Sequence, residues 1–416
     1  MRSLLVLAWF AACRHAAPAA SLDLRVAVSG RLDPIDLKPA GENWASRAAE
    51  LVFEPLVVLG NAGELIPVLA ARAELLPSRA VRVWLRTDAT FSDNSQVTFE
   101  DVARSLAGHH LRATKEDSSI LIEPDDAATP IELQLPPVYI HRAELGTGGF
   151  MLAEQDQSHI VLRRRVPSPG RIASVSFIAY KSPQEAFAHT LKGDADLLPD
   201  VDPRWLEFIE GVARLRVMRT PSPYANVVAF NVSRLSREER IWLVELFRSD
   251  EMRKLAFGDD CAPPEQGPER KTDGAGGMTR LDVLAVPIFE RFALAIRRTL
   301  GERGGAVRIQ PQREFFNAIK AREFDLVAAR PRIWPPIMAV QSSRTGAPTN
   351  VLGYSNPLVD AALDAQNWAA AQRALDDDPP AAVICKPEAI IVMDSRIKNV
   401  PNLRFWASVA QWEVRQ

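Results

Sequence analysis

Leu281-Asp282-Val283-Leu284-Ala285, with the residues that follow it to Ala329, is the stretch whose order of elements decides the fold class. The apolar run is short and is soon followed by proline, as a buried strand would be. Apolar residues then recur at helical spacing over 289–303, and the pattern returns to a strand over 307–310, a helix over 314–322 and a strand over 325–329. This alternation predicts parallel strands with helices on both faces, because a parallel connection needs a crossover long enough to hold a helix.

The same alternation extends upstream. A strand is predicted over 24–28, a helix over 44–51 that Phe53-Glu54-Pro55-Leu56 ends, and a strand over 81–85. Thr98-Phe99-Glu100-Asp101 has the spacing of a capping box and opens a helix through Leu106. Short signals over 119–122 and 130–135 read as strands. Gly146-Thr147-Gly148-Gly149-Phe150 opens a hairpin whose second strand covers 158–163, and a third strand covers 175–179. Ser182-Pro183-Gln184-Glu185 caps a helix to Lys192, which Gly193 terminates. An apolar strand over 227–230 precedes a helix capped by Ser236.

Downstream of these, Pro263 to Gly277 holds proline, glycine and charge without a period, and reads as a surface loop or a lobe connection. A helix over 368–375 and two strands over 381–385 and 389–394 complete a sheet begun earlier in the chain.

With 416 residues, 47% of them hydrophobic, the chain has material for two or three domains. A net charge of -2 supplies no clustered positive field, which argues against nucleic acid and against an anionic membrane surface as partners. Met1-Arg2, an apolar run from Ser3 to Cys13 and Ala16-Ala17-Pro18-Ala19-Ala20 together read as a signal sequence over 1–20. Two processing routes are open: cleavage after Ala17-Pro18-Ala19, or lipid attachment at Cys13, because Phe10-Ala11-Ala12-Cys13 resembles a bacterial lipobox. No other stretch approaches the roughly 20 apolar residues of a membrane span.

Cys261 and Cys385 form one disulfide or remain two thiols; the sequence leaves both open. His109-His110 lacks a third ligand at helical spacing and reads as a helix end. No Gly-Lys-Ser/Thr follows the 146–149 glycines, and neither Gly-x-Ser-x-Gly nor His-Glu-x-x-His occurs. The expectation is therefore a non-enzyme without metal or cofactor.

Several segments, in this order, carry a family resemblance. They are Glu50-Leu51-Val52-Phe53-Glu54-Pro55-Leu56-Val57, Ile66-Pro67-Val68-Leu69-Ala70, and Trp84-Leu85-Arg86 with Phe91-Ser92-Asp93-Asn94 and the capping box. The glycine run at 146–149, Gly193-Asp194-Ala195-Asp196, the strand from Asn226 to Asn231, and Gly353-Tyr354-Ser355-Asn356-Pro357-Leu358-Val359-Asp360 follow. The chain resembles family 5 of the bacterial extracellular solute-binding proteins, the oligopeptide, dipeptide and nickel receptors of ABC importers. Asn94 stands where the family usually has glycine, and asparagine is the residue best able to replace it at positive φ.

The resemblance implies an α/β, two-lobed periplasmic binding protein-like fold of the large oligopeptide-binding type, with mixed sheets flanked by helices and a ligand cleft between the lobes. It implies lobe I over 21–235 plus 380–416, with a subdomain at about 45–145, and lobe II over 236–379. The implied function is delivery of a peptide or related small solute to the permease subunits of an ABC importer, by a monomer that is periplasmic or extracytoplasmic and touches the membrane only through a lipid anchor, if it has one. A non-transport sensor or degenerate receptor with the same fold, and a secreted hydrolase, are the alternatives.

Candidate ligand-binding residues are Asn43 and Trp44 where the first loop meets its helix, Tyr224 and Asn226 beside the crossing strand, and Arg330, Arg332 and Trp334 from the second lobe. The family's peptide binders carry an acid after the position of Phe324-Asp325-Leu326 that meets the ligand's ammonium. Here that stretch holds Arg330, Arg332 and Trp334, so the expected interaction is a guanidinium clamp on an anionic group with an indole stacked beside it.

Overall fold

The computed structural model describes residues 22–35, 44–60, 63–125, 130–259, 261–264, 279–333, 336–347, 349–401 and 405–415. Among these, twelve strands join one mixed sheet. In chain order they are β1 (Leu22–Ser29), β2 (Phe150–Gln155), β3 (His159–Arg164), β4 (Ile172–Tyr180), β5 (Leu197–Leu198), β6 (Leu215–Pro221), β7 (Asn226–Phe230), β8 (Cys261–Ala262), β9 (Leu281–Ala285), β10 (Gly304–Ile309), β11 (Leu326–Ala329) and β12 (Ala381–Asp394). They lie side by side as β2-β3-β4-β1-β5-β12-β7-β11-β9-β10, and β6 and β8 also pair with β12.

Two parallel sets sit within this sheet. β4, β1 and β5 form one; β10, β9 and β11 form the other. The antiparallel strands β12 and β7 join them. The period of two along each strand sends alternate side chains to opposite layers. Leu24, Val26 and Val28 of β1 enter a core with Phe177, Trp406 and Trp412, covered by helix Trp44–Val52, while Ala27 meets Ala186 and Phe187 of helix Pro183–Lys192 on the other face.

The second parallel set repeats the scheme. Val228, Phe230, Val283, Ala285, Leu326 and Ala328 pack with helices Arg237–Phe247 and Glu290–Leu300. Ala229, Leu284 and Val327 instead face Phe315 and Ile319 of helix Gln312–Lys320. A third apolar cluster belongs to a separate four-stranded antiparallel sheet of Ala70–Leu75, Val81–Leu85, Leu111–Lys115 and Ile120–Pro124, with helix Phe99–Ala107 against it.

Several local signals work as their chemistry predicts. Thr98 and Asp101 close a reciprocal capping box, Gly193 ends its helix at φ 93°, and Asn94 adopts φ 67°. Other expectations need correction. Residues 130–135, read as a strand, contain the helix Ile131–Gln134 instead; four residues are too few for a period to separate helix from strand. The two strands expected over 381–385 and 389–394 are one, β12, which runs straight through Lys386-Pro387-Glu388. Proline is tolerated there because Pro387 pairs with the two-residue strand β8 and its carbonyl still accepts from Ser222 N at 3.3 Å. β6, which pairs with β12 from Leu215 to Pro221, had no counterpart in the sequence reading.

Candidate ligand cleft

β7 and β11 run antiparallel with Val227 opposite Ala329. Their ladder outlasts β11: Ala225 N donates to Pro331 O at 3.2 Å, Tyr224 and Arg332 form an isolated bridge, and Ile333 N donates to Pro223 O at 2.9 Å. The same register sets Asn226 opposite Arg330. Opposite residues and their second neighbours share a face of an antiparallel pair. Tyr224, Asn226, Arg330 and Arg332 therefore stand in two rows on one face, the face that carries Val228 and Ala328 into the second core.

Within that group the roles differ. Asn226 has no exposed surface. Its Nδ2 donates to Sγ of Cys261 at 3.3 Å and of Cys385 at 3.4 Å, and its Oδ1 accepts from Nε of Arg330 at 2.9 Å. Cys261 and Cys385 are bonded to each other, which resolves the alternative that the sequence left open. Asn226, expected at the ligand, thus has its amide engaged inside the protein.

Arg330 projects beyond it with its guanidinium 5.5 Å from the ring centre of Phe289, a cation–π arrangement. The side chain reaches solvent, yet the protein crowds it. Loss of surrounding water pulls its pKa below the ordinary arginine value, and the negative charge of Asp200 opposes that shift.

Asp200 lies just past the carboxyl end of β5, where the next residue, Val201, donates its amide to Ile390 O of β12 at 2.9 Å. Arg330 lies just past the carboxyl end of β11. Both sets of parallel strands thus present a carboxyl end toward the same stretch of β12, and from Cys385 to Ile390 that stretch is roughly 16 Å long. Crevices outside the carboxyl ends of strands are where open α/β sheets take ligands. Asp200 has φ 55°, a conformation unusual for a residue with a side chain.

Sequence reasoning missed Asp200 and Phe289. A signal was present for Asp200, since it follows the apolar Leu197-Leu198-Pro199 at a strand's carboxyl end. Phe289 was absorbed into the predicted helix over 289–303; it closes a single turn, Pro287–Phe289, ahead of helix Glu290–Leu300.

Trp44 belongs to a different cluster. It packs on the first core, edge-on to Trp406 with ring centres 6.2 Å apart. Asn43, Trp334 and Cys13 lie outside the described residues. Cavities of about 170 Å³ beside Phe53 and Tyr139 and about 530 Å³ beside Leu206 and Val217 lie elsewhere, lined by none of the candidate residues. Among the described residues no group of three His, Cys, Asp or Glu is placed to hold a metal ion, and no helix is long and apolar enough to cross a membrane.

No protein-family model matches the chain, and no curated protein matches its sequence. Solved structures do. The chain is similar to CtaP, an ABC transporter substrate-binding protein from Listeria monocytogenes, with TM-score 0.77 and 16% identity over 95% of this chain and 100% of that one. It is similar to the oligopeptide-binding protein AppA from Bacillus subtilis, solved with a nonapeptide, with TM-score 0.73 and 13% identity over 96% and 100%. It is also similar to NikA from Staphylococcus aureus, solved with a nickel–histidine complex, with TM-score 0.71 and 12% identity over 94% and 100%. At such identities the likeness is one of fold, and it spans nearly the whole chain: this is the two-lobed α/β fold of those binding proteins.

Proposed function

We propose that the chain is an extracytoplasmic solute-binding receptor, not an enzyme, that closes two lobes around a small solute and hands it to the permease of an ABC importer. The fold shared with peptide and nickel-complex binders supports this reading. The single observation that carries it to a site is the Arg330 guanidinium, held by Asn226 and Phe289 where the carboxyl ends of two parallel strand sets converge. A ligand that touches both sides stabilises the closed form by its differential contacts there.

In this reading residues 21–235 and 380–416 make lobe I and 236–379 lobe II, with β7 and β12 as the connecting strands. Arg330, with Arg332 and Tyr224 on the same face, meets an anionic group of a peptide or related solute; Trp334, Asn43 and Trp44 are its further candidate contacts. The receptor is a monomer, exported by residues 1–20 and either freed by cleavage or anchored through Cys13.

A thermal-shift screen of the chain from Ser21 onward tests the proposal, using di- to pentapeptides, nickel complexes, amino sugars and dicarboxylates. A ligand of the native state raises the melting temperature once its concentration exceeds its dissociation constant. A hit that Arg330→Ala abolishes supports the reading. Silence across the panel from a well-folded protein, or sustained turnover of a hydrolase substrate abolished by one point mutation, overturns it.

A further inference from the structure

The Cys261–Cys385 disulfide ties β8 to β12 with Cα atoms 5.5 Å apart, and both cysteines are buried. It lies directly under the Asn226 amide, whose atoms are assigned by elimination. Arginine Nε can only donate, so the atom facing it at 2.9 Å is Oδ1. That leaves Nδ2 against the two sulfurs, which carry no hydrogen while bonded to each other and so can only accept.

The backbone prepares this meeting. From Val227 to Ala229 the β7–β12 register pairs each residue with a partner one step short of the Asn226–Cys385 row, so the register slips by one residue and Ile384 is the extra residue in β12. Without that bulge Asn226 would oppose Ile384, and Cys385 would point to the other face. The slip turns the sulfur toward the asparagine.

We propose that the Cys261–Cys385 disulfide is a positioning element for Arg330: it holds the Asn226 amide in the orientation that offers Oδ1 to Arg330 Nε, and so keeps the guanidinium over Phe289. Without the S–S bond, as two thiols that donate as well as accept or as two alanines that do neither, nothing beneath the amide fixes which of its ends faces Arg330. The relevance to binding rests on the reading of Arg330 as the ligand's cation; the positioning itself does not.

The test uses phenylglyoxal modification of the folded chain without any ligand, followed residue by residue by mass spectrometry, with Arg332 in the same sample as the internal reference. The disulfide-free variant Cys261→Ala/Cys385→Ala and Asn226→Leu should each raise the Arg330-to-Arg332 rate ratio about tenfold, the scale of one hydrogen bond to a charged group. Asn226→Asp, which keeps an oxygen acceptor and adds a negative charge beside the guanidinium, should not raise the ratio.

An unchanged ratio in a disulfide-free variant that retains its circular dichroism spectrum overturns the proposal and reduces the bond to a staple. Should that variant not fold, Asn226→Leu with its disulfide intact decides the matter, because an unchanged ratio there removes the link between the sulfurs and Arg330. A chain that binds no solute at all would leave this result standing, and a negative result here would leave the binding reading untouched.

Discussion

Asn226 and Arg330, 104 residues apart in sequence, meet at 2.9 Å between Oδ1 and Nε, one row beyond the last paired residues of β7 and β11. The contact engages Nε and so fixes how the guanidinium is turned. A guanidinium already held in place loses less conformational freedom when a ligand binds than one swinging freely.

Arg330→Ala should therefore weaken binding of an anionic solute identified by the screen by about 10- to 100-fold, the range for a hydrogen bond to a charged group. Arg332→Ala should cost less, because Arg330 is the guanidinium that Asn226 and Phe289 hold in place. Isothermal titration of both variants decides between them, and an undiminished affinity in Arg330→Ala would remove it from the site.

The disulfide closes a separation of 124 residues. Its removal in Cys261→Ala/Cys385→Ala should lower stability by about 2–5 kcal/mol, chiefly by releasing the unfolded chain. Denaturant titration followed by fluorescence would register this as a lower midpoint; a midpoint equal to that of the parent would mean that the native state relaxes by as much as the unfolded state gains.

Asp101 is buried and accepts from Arg142 Nη2 at 2.6 Å, Arg142 Nε at 2.9 Å and Arg104 Nη1 at 3.1 Å. The Arg142 guanidinium is the main reason its pKa lies well below the ordinary aspartate value. A carboxylate whose folded pKa is depressed contributes its full stability above the unfolded value near 4, and loses it as pH falls toward the folded value. Arg142→Ala should lower stability at neutral pH, by less than the loss of a fully buried pair because water already reaches the Arg142 side chain. It should also flatten the loss of stability between about pH 4 and pH 2. Denaturation midpoints across that range check both statements, and parallel curves for the two proteins would contradict the assignment.

A Cβ at Gly146 would lie 2.0 Å from the carbonyl oxygen of Val52, at the end of helix Trp44–Val52, whereas one at Gly108 would meet nothing within 4 Å. Gly146→Ala should lower stability by about 1–3 kcal/mol, since backbone must move to admit the methyl group. Gly108→Ala, at an ordinary helical φ of -79°, should be neutral or slightly stabilising. Thermal melts of the two variants side by side test the steric reading, and equal melting temperatures would refute it.

The elements most legible in the sequence were those with a local code. Ser182, Ser236 and Thr98 each cap a helix through their own hydroxyl, and the strands 281–285 and 326–329 are short apolar runs, broken only by Asp282. Of the candidate site, Tyr224, Asn226, Arg330 and Arg332 do share one face. The fact that Asn226 is buried under Arg330 was not legible, since an asparagine at a ligand and one on a disulfide look alike in sequence.

The sequence by itself determined the α/β class, the capped helices and the longer apolar strands, because hydrophobic period and capping chemistry act within a few neighbouring residues. Only the tertiary structure decided that 381–394 is one strand, that Cys261 meets Cys385, and that Asn226 bridges their sulfurs to Arg330. Each of these depends on the register between strands far apart in the chain, where a slip of a single residue turns a side chain to the opposite face, and no local pattern records which register the assembled sheet adopts.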